Sequence, residues 1–144
     1  MGALFAVVAG LLNAVQSGVN STLGKQIGQF QAGLVSFGLA FVLFVVAGTM
    51  TGRLAWPGGE RMAGVPWWAW FGGVLGAVFV LSQLFVAQSL GSAVFIGIVV
   101  TASVVMSLVL DHYGLVGFEV HRVNLGRVAG AVLMVAGVGL IARF

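Results

Sequence analysis

Five apolar runs, each about twenty residues long, make up most of the chain, at roughly 3–24, 32–50, 66–89, 93–113 and 124–142. As an α-helix, about 20 apolar residues cross the hydrocarbon core of a bilayer. The pattern therefore predicts an all-α integral membrane protein with five transmembrane helices, forming a single domain over residues 1–144. The breaks between runs are short. Gly24, Lys25, Gln26, Gly28, Gln29 and Gln31 form a polar turn after the first run, and Gln88 to Ser92 leave room only for an antiparallel hairpin after the third. The longest loop, about 51–65, carries Arg53, Trp56, Pro57, Gly58, Gly59, Glu60 and Arg61. Pro66 can then open a helix whose first turn holds Trp67, Trp68 and Trp70, side chains suited to the headgroup layer. A polar linker with Glu119, His121, Arg122 and Asn124 precedes the last run.

The first run breaks its apolar pattern with amides on one side. At 100° per residue, Asn13, Gln16, Ser17 and Asn20 share one face with Gly2, Ala6, Ala9, Gly10 and Gly24, while leucines and valines fill the rest of the wheel. Such a helix turns its bulky side to lipid and its small polar side to a partner helix or a cavity. Adhesion is one use of that face, because an interhelical amide hydrogen bond in lipid contributes about 0.6 to 2 kcal/mol. A substrate pocket is the other. Counted from the helix middles, Gln83 on the third span lies level with Gln16 and Asn20, and Thr101 and Ser103 on the fourth lie near the level of Asn13. These six residues are the candidate substrate-binding set, a pocket of amides and hydroxyls.

Composition and charge sharpen this picture. With 60% hydrophobic and 6% charged residues and a mean hydropathy of +1.16, the chain belongs in a membrane. Loops on the amino-terminal side carry Arg53, Arg61, Arg122 and Arg127, against Lys25 and Arg143 on the other. An excess of two basic residues favours a cytoplasmic amino terminus only weakly and is compatible with insertion in both orientations. Cysteine is absent, which removes disulfides and thiolate metal sites. The two histidines stand near one interface without metal-ligand spacing or a nucleophile and base, so neither an enzyme nor a bound metal or cofactor is expected. The scattered positive charge does not form a nucleic-acid surface.

Several segments carry a family resemblance: Gln16-Ser-Gly-Val-Asn20-Ser-Thr-Leu-Gly24, Ala32-Gly-Leu-Val-Ser-Phe-Gly38, Gly72-Gly-Val-Leu-Gly76-Ala-Val-Phe and Leu110-Asp-His-Tyr-Gly-Leu-Val-Gly117. Together they resemble the YdcZ-like five-span family of the drug/metabolite transporter superfamily, over essentially the whole chain. The resemblance implies transport or export of a small molecule by a membrane dimer in the cell membrane, the inner membrane of a bacterium. Where the family commonly shows a Gly-Gln pair in the fourth span, this chain has Ala102 and Ser103.

Five spans with one short polar face are few for alternating access, whereas two antiparallel copies generate an inverted repeat with its site near mid-membrane. An antiparallel homodimer is expected, or a heterodimer with an oppositely oriented sibling. Gly126, Gly130 and Gly137 project within a narrow arc of the last span and are candidates for that interface. A stripe of Phe30, Phe37, Phe41 and Phe44 on the second span suits packing or ligand stacking. Spans one, two, three and five lack a carboxylate, and Asn13 stands where small multidrug resistance relatives carry an acid. An uncharged pocket favours a neutral, zwitterionic or aromatic solute. Asp111 and His112, closing the fourth span, are candidates for gating or proton linkage, or else an interfacial cap. An accessory subunit that packs on another membrane protein is the alternative to a transporter.

The weak charge bias carries a test. Single cysteines replacing Gly58 and Gly28 should each be labelled from the outside in part of the population in intact cells. Fully one-sided labelling, in cells lacking any related subunit, would contradict insertion in both orientations.

Overall fold

A computed structural model describes residues 1–55 and 58–144; Trp56 and Pro57 of the expected long loop lie outside the described residues. The helices are α1 (Gly2–Ile27), α2 (Gln29–Met50), α3 (Gly59–Ala63), α4 (Gly72–Leu90), α5 (Ser92–Tyr113) and α6 (Leu125–Arg143). Short 3-10 turns occupy Trp67–Phe71 and Leu115–Gly117. Five helical stretches are long and apolar enough to cross a membrane, the third being Trp67–Leu90, which includes the tryptophan turn. Pro66 stands at the amino-terminal cap of that turn, as its sequence position suggests. The fold is all-α.

Two breaks are tighter than the sequence indicates. Lys25 and Gln26 continue α1, and Gln29 and Gln31 already belong to α2, so the polar turn reduces to Gly28 alone. Polar side chains at helix ends reach the headgroup layer without ending the helix, so polarity by itself does not mark the boundary. Gly28 has φ 95° and ψ 149°, and Gly91, the single residue between α4 and α5, has φ 82° and ψ 149°. This region of backbone space is open essentially to glycine alone. One conformation thus ends a helix and starts the next within a single residue, twice. A cysteine label on this side is therefore better carried by the exposed Gln26 than by Gly28.

The chain forms two compact units, Met1–Gln88 and Ser89–Phe144. In the first, Leu84 of α4 is fully buried and is the peg on which the helices meet. A Cβ on Gly24 of α1 would lie 3.3 Å from Leu84 Cδ2, and one on Gly33 of α2 would lie 3.6 Å from Leu84 Cδ1. The two glycines are the sockets, and dispersion contact between close helices holds them where lipid offers no hydrophobic drive. Ala32 and Ala87 are buried in the same unit, and Phe30 meets Phe85 edge to face at 5.8 Å. In the second unit, Gly97 of α5 faces Val138 of α6, where a Cβ would come within 3.0 Å of Val138 Cγ2. Phe95 and Ala131 are buried in that unit. Large apolar side chains such as Leu11, Leu39 and Leu75 remain outside, as a lipid solvent permits.

Gly91→Ala separates backbone strain from packing, because no atom lies within 4 Å of the added Cβ. It should destabilise the protein by about 1 to 3 kcal/mol. Gly130→Ala, with equally open space and ordinary helical backbone, should be neutral or stabilising by up to about 1 kcal/mol through helix propensity. Thermal unfolding in detergent checks both, and equal midpoints for the two variants would contradict the assignment.

Candidate functional site

Ser17, Asn20 and Gly24 are the buried positions of α1, and their spacing of three and four residues places them on one helix face. Asn20 is the hub. Its Nδ2 donates to Gln83 Oε1 of α4 at 2.9 Å, and its Oδ1 accepts from Ser36 Oγ of α2 at 2.9 Å. One amide therefore ties three helices, using both of its ends. Farther along α4, Gln88 Nε2 adds a second link by donating to the Ser21 carbonyl of α1 at 2.9 Å.

Two buried polar atoms next to this hub have no partner among the described residues, Gln83 Nε2 and Ser17 Oγ. Both side chains are fully buried. Leaving a buried donor unpaired costs about 1 to 3 kcal/mol, so the seam between α1 and α4 holds unused hydrogen-bonding capacity beside the hub. Between α2 and α4, Phe30, Gly33, Phe37, Ala77 and Val80 line an apolar cleft of about 370 Å³.

The other candidates are dispersed. Asn13 lies on the same line of α1, about 10 Å before Asn20 at 1.5 Å per residue, and is half-buried. Gln16 sits about 70° from the centre of the buried arc and is exposed. Neither amide has a hydrogen-bond partner among the described residues. Thr101 and Ser103 belong to the second unit and point about 160° apart around α5. Thr101 is buried with its Oγ1 unpartnered among the described residues, whereas Ser103 is exposed and donates to the Val99 carbonyl of its own helix at 2.7 Å. Phe41 and Phe44 point outward. Depth along the helices matches Gln83 with Asn20, but rotation about each axis decides which neighbours can reach. Ser36 is the partner that depth alone does not single out; its place three residues after the socket Gly33 is the available signal.

Gly130 and Gly137 have no atom within 4 Å of an added Cβ, and Gly126 approaches only the Oδ1 of its neighbour Asn124. The close crossing of α5 and α6 is made by Gly97 instead, so the glycines of α6 are not its contact points.

Asp111 and His112 end α5 in a polar clasp. Asp111 Oδ2 lies 3.5 Å from Arg127 Nη1 of α6, with both side chains about one-third exposed. The Asp111 carbonyl accepts the His121 N–H at 2.8 Å, and His112 Nδ1 accepts the Val123 N–H at 3.2 Å. Asn124 caps α6 by accepting the Arg127 N–H at 2.9 Å. Gly114 makes the turn possible, with φ 61° and no room for a Cβ, which would lie 2.7 Å from Val120 Cγ2. The Asp-His-Tyr-Gly-Leu-Val-Gly segment thus folds the α5–α6 connection back onto the end of α5.

Five helices long and apolar enough to span a bilayer, three of them tied by buried amides, define a polytopic all-α membrane protein. Residues 1–140 match the family described as "Putative inner membrane exporter, YdcZ", and the chain belongs to that family. It is 34% identical over 85 residues to the Inner membrane protein YdcZ of Escherichia coli (strain K12), an alignment covering 59% of this chain and 56% of that protein. The chain thus spans just over half the length of that curated relative in the match. No solved structure matches it.

A double-mutant cycle tests the hub. Asn20→Ala and Gln83→Ala should each lower stability, with a coupling of about 0.6 to 2 kcal/mol between them. Reversible unfolding in mixed micelles measures it; additive losses would mean that the pair does not interact.

Proposed function

We propose that this protein is the subunit of an inner-membrane exporter of small solutes, working by alternating access as an antiparallel dimer. The observation that carries the proposal is the pair of buried, unpartnered groups, Gln83 Nε2 and Ser17 Oγ, beside the Asn20 hub. A solute oxygen entering the seam between α1 and α4 would satisfy them, recovering the desolvation cost that the closed seam carries. The side chains that form that seam are uncharged. Its ligands are therefore neutral or zwitterionic, because an uncompensated ion would meet the cost of leaving water without a counter-ion.

Asn13 and Gln16 would extend the solute path along α1, and within the second unit Thr101 and Ser103 are the candidate polar groups of α5. A second copy in the opposite orientation supplies the inverted repeat that alternating access needs, and an oppositely oriented sibling would serve equally. The open glycine face of α6, at Gly130 and Gly137 with Gly126 beside them, leaves backbone available for a close helix contact in that dimer.

Solute flux into liposomes containing only this protein, across neutral, zwitterionic, cationic and anionic metabolites, is the test. Flux should appear for neutral or zwitterionic solutes, and Gln83→Leu should reduce it at least about tenfold, a loss of about 1.4 kcal/mol in transition-state stabilisation, with the oligomer intact. Normal flux in Gln83→Leu would place the site elsewhere. Failure of the protein to move any solute alone, with activity restored by a second membrane protein, would make it an accessory subunit.

A further inference from the structure

The polar clasp at the end of α5 takes no part in the proposed solute site, yet one of its bonds has a built-in dependence on protons. His112 Nδ1 accepts a backbone N–H, from Val123 at 3.2 Å. An imidazole can do this only while that nitrogen carries a lone pair, that is, in the neutral ring with its proton on Nε2. Adding the second proton turns Nδ1 into a donor facing a donor. The hydrogen bond is then lost, and Val123 no longer has that acceptor.

The place of this bond gives it a consequence. His112 and Val123 both line a cleft of about 670 Å³ between α5 and α6, together with Val105, Val109, Val132 and Val135. The connection that carries Val123 also holds local strain, since Val116 has φ 57° and ψ 29°, a left-handed conformation that is costly for a β-branched residue. Three other anchors do not depend on a histidine proton: the Asp111–Arg127 ion pair, the His121 N–H bond to the Asp111 carbonyl, and the Arg127 Nη1 bond to the His121 carbonyl at 3.4 Å. Loss of the His112 bond therefore loosens the connection at Val123 without detaching it.

We propose that His112 is a proton-operated catch on the α5–α6 connection, holding Val123 over the cleft when neutral and freeing it when protonated. The titratable and charged groups on the elements around it are Asp111 and Tyr113 on α5, Arg127 on α6, and Glu119, His121 and Arg122 on the connection. Asp111 is already engaged by Arg127, and the Tyr113 ring stands edge to face with His112 at 4.7 Å. Among these, His112 alone accepts a hydrogen bond that its own protonation must break.

Accessibility of Val123 reads the catch directly. The natural chain has no cysteine, and Val123→Cys keeps the backbone N–H that His112 accepts. Alkylation of this cysteine in liposomes, divided at each pH by the rate of a reference Phe144→Cys to remove thiol ionisation, should be about fivefold faster near pH 5 than near pH 8. With His112→Asn, whose Oδ1 stands where Nδ1 does and accepts the same N–H at every pH, the normalised rate should stay low and flat. His121→Asn should keep the rise. Nitrogen NMR of histidine-labelled protein supplies a second readout, with an unprotonated Nδ1 on His112 near pH 8. A rise that survives His112→Asn, no rise with His112 present, loss of the rise in His121→Asn, or a protonated Nδ1 near pH 8 would each overturn the proposal.

Discussion

The first unit depends on one constraint: in hydrocarbon, an amide must find its hydrogen bonds inside the protein. Asn20 meets that demand with partners on two other helices, Gln83 and Ser36. Placing a polar hub at a position that lipid would penalise fixes the rotation of α1, because any turn about its axis would leave the amide unpaired. Leu84 then seats between Gly24 and Gly33. Hydrogen bonding sets the register and the small residues permit the approach; neither alone would specify the contact.

The five spans and the all-α class are legible in the sequence because apolar run length is nearly sufficient to identify a membrane helix. The ends of those runs are less so. Lys25, Gln26, Gln29 and Gln31 look like a turn, yet helix continues through them to either side of Gly28, since headgroup-level polar side chains are compatible with helical backbone. The pairing of Asn20 with Gln83 follows from depth along the helices. Gln16 and Ser103 show the limit of that inference: each lies at a suitable depth but on an exposed side of its helix, and an isolated sequence does not state how helices are rotated against one another. The role of Gly97 is likewise hidden, because a glycine's importance depends on what faces it, here Val138.

The two polar clusters divide the chemistry. The hub in the first unit is uncharged and buried, suited to holding helices and to exchanging hydrogen bonds with a neutral or zwitterionic solute. The clasp in the second unit holds the ionisable groups Asp111, His112 and Arg127 at a helix end, where water can hydrate them and where a proton can arrive. Keeping charge out of the hydrocarbon core avoids its desolvation cost, and on the two proposals solute recognition and proton sensitivity fall at separate places along the chain.

On the proposed mechanism, the seam between α1 and α4 must open for a solute to pass. Cysteines replacing Ser21 and Gln88, the latter donating from its side chain to the Ser21 carbonyl at 2.9 Å in the native chain, can be joined by a short cleavable thiol crosslinker in the transporting preparation. Crosslinked protein is expected to lose solute flux and to regain it when the link is cleaved. Normal flux through quantitatively crosslinked protein would contradict the mechanism.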